Sequence, residues 1–157
     1  MKKLEEPKNP GFAAPRRLVL YVEDNDDNWS VAELRLSNVY RLIRAKNDRE
    51  ACALLTAHAS ELYIVLMDVE LQGSRLDGIA LTKLLRGRLP ADQIPDYARA
   101  VPVSNVPVVF VTAYHAAFAS TMQAAGGNLV VPKPVEFRQL IRALTSMHLN
   151  GIGDKEH

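Results

Sequence analysis

Short apolar runs alternate with amphipathic stretches along this chain, and the alternation begins at Arg17. Leu18-Val19-Leu20-Tyr21-Val22 is a continuous apolar run, the pattern of a strand covered on both faces. It stops at Glu23-Asp24-Asn25-Asp26-Asp27-Asn28, residues that turn the chain and cap a helix N-terminus. A helix carrying Trp29, Ala32, Leu34 and Leu36 is predicted next, up to a break at Ser37-Asn38. Val39 to Ala45 predicts a second strand, Asp48 to Ala59 a second helix, and Leu62 to Met67 a third strand ending at Asp68. Asp77 to Arg88 predicts a third helix through Ile79, Leu81, Leu84 and Leu85. Val108 to Val111 predicts a fourth strand ending at Thr112, and His115 to Ala125 a fourth helix stopped by Gly126-Gly127. Leu129 to Val131 gives a fifth strand before Pro132-Lys133-Pro134, and Glu136 to Met147 a last amphipathic helix.

Strands and helices in strict alternation predict an α/β fold, a doubly wound five-stranded parallel sheet. Right-handed crossovers leave few topologies, and the flavodoxin-like (βα)5 order is the common one for this count. Ligands of such sheets sit outside the carboxyl ends of the strands. Residues 87–107 break the pattern: Pro90, Pro95, Pro102 and Pro107 forbid a continuous helix. They predict an extended surface loop before the fourth strand, with Arg86, Arg88 and Arg99 solvated and Tyr97 available as an anchor to the body. The expected organisation is a flexible N-terminal tail over 1–15, one domain over 16–147 and a C-terminal tail over 148–157.

Composition narrows the function classes. With 157 residues, 48% apolar and 24% charged, the chain has the make-up of one soluble globular domain. Nineteen basic residues against 18 acidic give a net charge of +1, which argues against a nucleic-acid-binding surface. Cys52 is the one cysteine, so no intramolecular disulfide forms and a reducing compartment is expected. The histidines lack metal-ligand spacing. Neither a signal peptide nor an apolar stretch of about 18 residues is present. A cytoplasmic protein without a membrane partner is the default expectation.

The chemistry gathers at the predicted strand ends. Glu23 and Asp24 follow the first strand, Asp68 the third, Thr112 the fourth and Lys133 the fifth, and the fold would bring them to one rim. Carboxylates ~5 Å apart repel by roughly 3 kcal/mol per pair at an effective dielectric near 20. A hard divalent cation with oxygen ligands, Mg²⁺ above all, is the natural counter-charge. With Lys133 helping to neutralise phosphate oxygens, one carboxylate can attack phosphorus and become an acyl phosphate, and Thr112 can donate a hydrogen bond to it.

Val22-Glu23-Asp24-Asn25, Leu66-Met67-Asp68, Asp77-Gly78, Val111-Thr112-Ala113 and Lys133-Pro134 resemble, in order and placement, the motifs of response-regulator receiver domains. The resemblance spans about residues 16–147. It implies Asp68 as phosphoacceptor and Asp24 as a direct Mg²⁺ ligand. Glu23 would act directly or through water, and Glu70 through its backbone carbonyl. It further implies that Thr112 and Lys133 contact the phosphoryl group, that the small Ala113 leaves the acceptor accessible, and that the Lys133–Pro134 bond is cis. The implied donor is a sensor histidine kinase or a histidine phosphotransfer protein. The implied output is a downstream protein partner on the face of the fourth helix, fifth strand and fifth helix, roughly His115 to Leu144. A stand-alone, non-turnover signalling receiver is therefore expected.

Two departures from the family pattern stand out. Residues 69–76 form a longer loop without the usual proline, and Val130 occupies the place of the usual switch aromatic, for which Tyr114 could substitute. Two rival readings remain open. A haloacid-dehalogenase-like phosphatase would use Asp24 within Asp24-Asn25-Asp26, with Thr112 and Lys133, but leaves Asp68 without a role. A phosphate-independent protein-interaction module would bind no Mg²⁺.

Overall fold

The computed structural model describes residues 16–113 and 115–149, with the side chains of 115–118 and 149 left aside. The expected tail over 1–15, residues 150–157 of the C-terminal tail, Tyr114 and the side chain of Phe118 lie outside the described residues. Five strands, β1 (Arg17–Val22), β2 (Tyr40–Ala45), β3 (Leu62–Met67), β4 (Val108–Thr112) and β5 (Leu129–Pro132), form one sheet. Their order is β2-β1-β3-β4-β5 and every pairing is parallel, the doubly wound arrangement that the alternation predicts.

Five helices cover the sheet: α1 (Asp26–Leu36), α2 (Asp48–Ala57), α3 (Gly78–Leu85), α4 (His115–Ala124) and α5 (Phe137–Leu149). Ala32, Leu36, Leu140, Leu144 and Met147 place α1 and α5 on one face with Val19, Tyr21, Ile64 and Val111. Ala51, Cys52, Leu55, Leu81, Leu85 and Met122 place α2, α3 and α4 on the other with Leu20, Val22, Val65 and Phe110. Both faces of the central strands are buried, which is why those strands read as unbroken apolar runs. Cys52 is 1% exposed, and its thiol is pushed up to about 11 by burial and by Asp48.

Helix ends follow local chemistry. The side chains of Asn25, Asn47 and Asp77 accept backbone N–H groups of Asn28, Glu50 and Ala80, capping α1, α2 and α3. Asp77, expected inside α3, is thus its cap, and the helix ends at Leu85 because Gly87 turns the chain at φ +72°. Leu34, one of the apolar residues that the predicted helix carries, is 73% exposed. Trp29, Ala32 and Leu36 recur at helical spacing along one stripe, and Leu34 falls on the opposite side. Among the described residues no helix is long and apolar enough to cross a membrane.

The segment over 87–107 is not a simple solvated loop. It forms two 3₁₀ turns, Ala91–Gln93 and Asp96–Ala98, and buries Leu89, Ala98 and Val101 against the α2–α3 face. Tyr97 anchors it, as expected, through contacts to Asp48 and Arg49 on α2. Arg86, at its base, is not solvated as expected. Its guanidinium donates to the carbonyls of Ser104 (2.8 Å) and Gly126 (2.9 and 3.1 Å) and to Asn128 Oδ1 (3.1 Å). The carbonyls left unpaired where α4 ends need donors, and this side chain supplies them. Arg88 is exposed but reaches the Ala124 carbonyl at 2.9 Å, whereas Arg99 is exposed and pairs with its exposed neighbour Asp96.

Candidate functional site

Three of the candidate residues, Glu23, Asp68 and Lys133, are fixed by a hydrogen bond that continues the sheet one step past a strand. Glu23 N–H donates to the Ala45 carbonyl at 2.9 Å, Asp68 N–H to Val22 at 3.1 Å, and Lys133 N–H to Thr112 at 3.0 Å. Backbone is thereby rigid where the apolar run gives way to polar side chains. Glu23, Asp24, Asp68, Glu70, Thr112, Ala113 and Lys133 all line one cleft of about 350 Å³ at the carboxyl rim, with Asn25, Asn28 and Gln72. The Lys133–Pro134 peptide bond is cis. Gly78 sits against the end of β3 so tightly that a Cβ there would lie 1.9 Å from the Asp68 carbonyl oxygen. That close approach explains the glycine of the Asp77-Gly78 pair.

Lys133 is the centre of charge. Its Nζ lies 3.0 Å from Asp68 Oδ2 and 3.1 Å from Glu23 Oε1. Glu23 is fully buried; Oε1 also accepts the Tyr21 hydroxyl at 3.3 Å, and Oε2 accepts the Asn25 N–H at 3.0 Å. Asp68, 8% exposed, accepts the Val69 N–H on Oδ1 at 2.8 Å. Asp24 accepts the Gln72 N–H on Oδ2 at 2.9 Å.

The pKa shifts follow from this crowding. Burial, then the Glu23 charge, pushes the Asp68 carboxyl up to about 6 against the pull of Lys133 and the Val69 N–H. Burial alone would lower the Lys133 ammonium, but Asp68 and Glu23 outweigh it and hold the group above its ordinary value. Burial and the charges of Glu23 and Asp68 raise the Tyr21 hydroxyl well beyond the usual range.

One ammonium faces three carboxyl groups, so the cleft is short of positive charge. Oxygens of Glu23, Asp24 and Asp68 lie within 4.8 Å of one another. An all-oxygen set at this spacing, opening on a cleft with room for water, fits Mg²⁺. Asp26, the second acid of Asp24-Asn25-Asp26, does not line the cleft. It is 72% exposed and pairs with Arg44 at 2.9 Å and Lys46 at 3.5 Å, away from the position a phosphatase needs.

Other residues in or just behind the cleft are less legible in the sequence. Tyr21 passes for one more apolar residue of β1, yet its hydroxyl ends on Glu23. Asn25 and Asn28 read as capping residues. Gln72 contributes a backbone N–H, which no side-chain motif can signal. Trp29 stands edge-to-face with Tyr21 at 6.5 Å under the Arg44 guanidinium, one ring from the cleft. Val130 is half-buried in β5, packed against the α2–α3–α4 side.

Neither a protein-family model nor a curated protein sequence matches the chain. Solved structures do. NtrX from Brucella abortus matches with a TM-score of 0.66 at 25% identity over 86% of this chain and 28% of that one, so the chain spans less than a third of that protein. The receiver domain of the sensor histidine kinase PA1611 from Pseudomonas aeruginosa, with a magnesium ion coordinated in its active-site cleft, matches at 0.64 and 26% identity over 85% and 97% of the two chains. The Ssk1 receiver domain of Saccharomyces cerevisiae, co-crystallised with the histidine phosphotransfer protein Ypd1, shares the fold at 0.67 and 24% identity over 90% and 95%.

Proposed function

Because the chain is a response-regulator receiver domain, we propose that it accepts a phosphoryl group on Asp68, with Mg²⁺ alongside, and thereby switches its binding to a protein partner. The observation that carries this reading is the setting of Asp68. Its carboxylate is buried against Lys133, crowded by Glu23 and Asp24, and open on one side to a cleft bounded by Thr112 and Ala113.

An Asp68 oxygen attacks the phosphorus of a phosphohistidine on a sensor kinase or phosphotransfer protein. The P–N bond breaks, the imidazole leaves with the electron pair, and a mixed acyl phosphate forms. Asp24, Asp68, Glu23 and the Glu70 carbonyl would hold the Mg²⁺, which when bound neutralises phosphoryl charge and aligns its oxygens. Lys133 exchanges its bond to Asp68 Oδ2 for one to a phosphoryl oxygen. Thr112, at the end of β4, donates its hydroxyl to another, and Ala113 leaves the entry open. The product is a switched state of residues 16–147 rather than a released molecule, and the cytoplasm is its compartment. With Val130 in place of an aromatic, readout on the α4–β5–α5 face would run through Thr112 and backbone shifts that bias a two-state equilibrium.

The test is intact mass after incubation with acetyl phosphate and Mg²⁺. Wild type gains one phosphoryl group and Asp68→Asn gains none. Labelling that persists in Asp68→Asn would move the nucleophile elsewhere, to Asp24 and phosphatase chemistry.

A further inference from the structure

A chain of contacts runs from the 87–107 segment to the metal-facing rim, and no cleft motif accounts for it. Asp48, 2% exposed, opens α2. Its Oδ2 accepts the N–H groups of Arg75 at 3.1 Å and Leu76 at 3.0 Å, together with the Tyr97 hydroxyl. Its own N–H donates to Ser74 Oγ at 2.9 Å. One buried carboxylate thus gathers the far end of the β3–α3 loop, the start of α2 and the tip of the 87–107 segment. The near end of the same loop turns at Gly73, φ +76°, with Ser74 N–H closing on the Leu71 carbonyl at 3.2 Å. That turn aims the Gln72 N–H at Asp24 Oδ2.

We infer that Asp48 and Tyr97 are positioning residues for Asp24, acting through residues 71–76. The inference rests on the Mg²⁺ reading of the cleft given above. A loop this long and without proline has conformational freedom to lose. Asp48 removes it at one end, so the Gln72 amide stays in place at the other. With Oδ2 of Asp24 held by that amide, the carboxylate cannot spin, and its other oxygen is presented to the cation before it arrives. Partners beyond the direct ligands commonly tune metal affinity by such orientation. The 87–107 segment is then a brace whose tip sets the metal affinity of a rim it does not line.

Tyr97→Phe isolates the contact, because it removes the hydroxyl and keeps the ring that lies 4.2 Å from the Arg49 guanidinium. Mg²⁺ is titrated by Trp29 fluorescence, and exchange of the Gln72, Arg75 and Leu76 amides is followed in metal-free protein. The expected result is Mg²⁺ affinity weakened roughly three- to tenfold, with about tenfold faster exchange at all three amides. Ile141→Val, which trims the core on the opposite face, controls for lost stability and leaves the affinity within about twofold. Affinity in Tyr97→Phe that is unchanged or tighter, or a Gln72 amide as protected as in wild type, would overturn the inference. Should wild type itself show no Mg²⁺ response, the cleft reading falls, while Gln72 exchange in the variant still decides whether the brace holds the loop.

Discussion

Asp68 and Asp48 are both withdrawn from water, at 8% and 2% exposed, yet their surroundings drive them in opposite directions. Asp48 accepts two loop N–H groups, the Arg49 N–H and a phenol. Burial alone would raise its pKa, but these donors together hold it below the usual carboxylate range. Asp68 has one backbone N–H and a shared lysine, and it faces Glu23; burial and that charge push it up to about 6. A carboxylate saturated with fixed donors is solvated by the protein and serves as a joint. One left short of donors beside like charge is held ready for a cation or a new bond.

The comparison breaks most visibly at Asp48. Asp48→Ala takes the acceptor away from the Arg75 and Leu76 N–H groups and the Tyr97 hydroxyl, and is expected to cost about 3–5 kcal/mol in urea unfolding. Asp48→Asn, whose amide oxygen still accepts from the loop, is expected to cost distinctly less. The pH dependence has a definite sign. Because the folded pKa of Asp48 is depressed, its contribution is present above about pH 4 and is lost as pH falls through the folded value. Wild type and Asp48→Asn therefore converge on acidification, and curves that stay parallel would deny Asp48 the role of a charged joint.

Asp68 yields a smaller effect of opposite sign. A carboxyl raised from 3.8 to about 6 penalises the folded state when ionised, by on the order of 2–3 kcal/mol at full ionisation. Stability is intact below the unfolded pKa and declines as pH rises through about 6. In chelator at pH 7.5, Asp68→Asn is expected to melt above wild type, with the difference closing towards pH 4. Millimolar Mg²⁺ should stabilise wild type and leave Asp68→Asn nearly unmoved. A destabilised Asp68→Asn in chelator would show that Asp68 is as well solvated as Asp48.

These two residues also mark what the sequence could tell. Asp68 is legible because it terminates an apolar run, and the α/β alternation carries each run's end to one rim with Glu23, Asp24, Thr112 and Lys133. Asp48 reads as an ordinary acidic residue in a first helical turn. Its partners, the backbones of Arg75 and Leu76 and the hydroxyl of Tyr97, are 27, 28 and 49 positions away, and no local pattern encodes their meeting. The same blindness explains Arg86. Its proline-rich surroundings suggest a solvated arginine, whereas the carbonyls it satisfies belong to residues 18 and 40 positions on. Periodicity recovers what repeats along the chain, and the helical period already sets Leu34 opposite the stripe of Trp29, Ala32 and Leu36.

The smallest effect sharpens the account of the joint itself. Arg49 lies over the Tyr97 ring at 4.2 Å, so the anchoring of the 87–107 segment could rest on the cation rather than on the hydroxyl bound to Asp48. Arg49 is exposed and stands in the first turn of α2, where the helix dipole disfavours positive charge. Its stacking is worth about 0.5–1 kcal/mol at such a site, partly offset by that placement. Arg49→Met keeps the apolar stem and the backbone N–H given to Asp48, and is expected to cost no more than about 0.5 kcal/mol in urea unfolding. Combined with Tyr97→Phe, which keeps the ring, the two losses should add. If Arg49→Met instead costs more than Tyr97→Phe, the cation fastens the segment, and Asp48 gathers the loop without help from Tyr97.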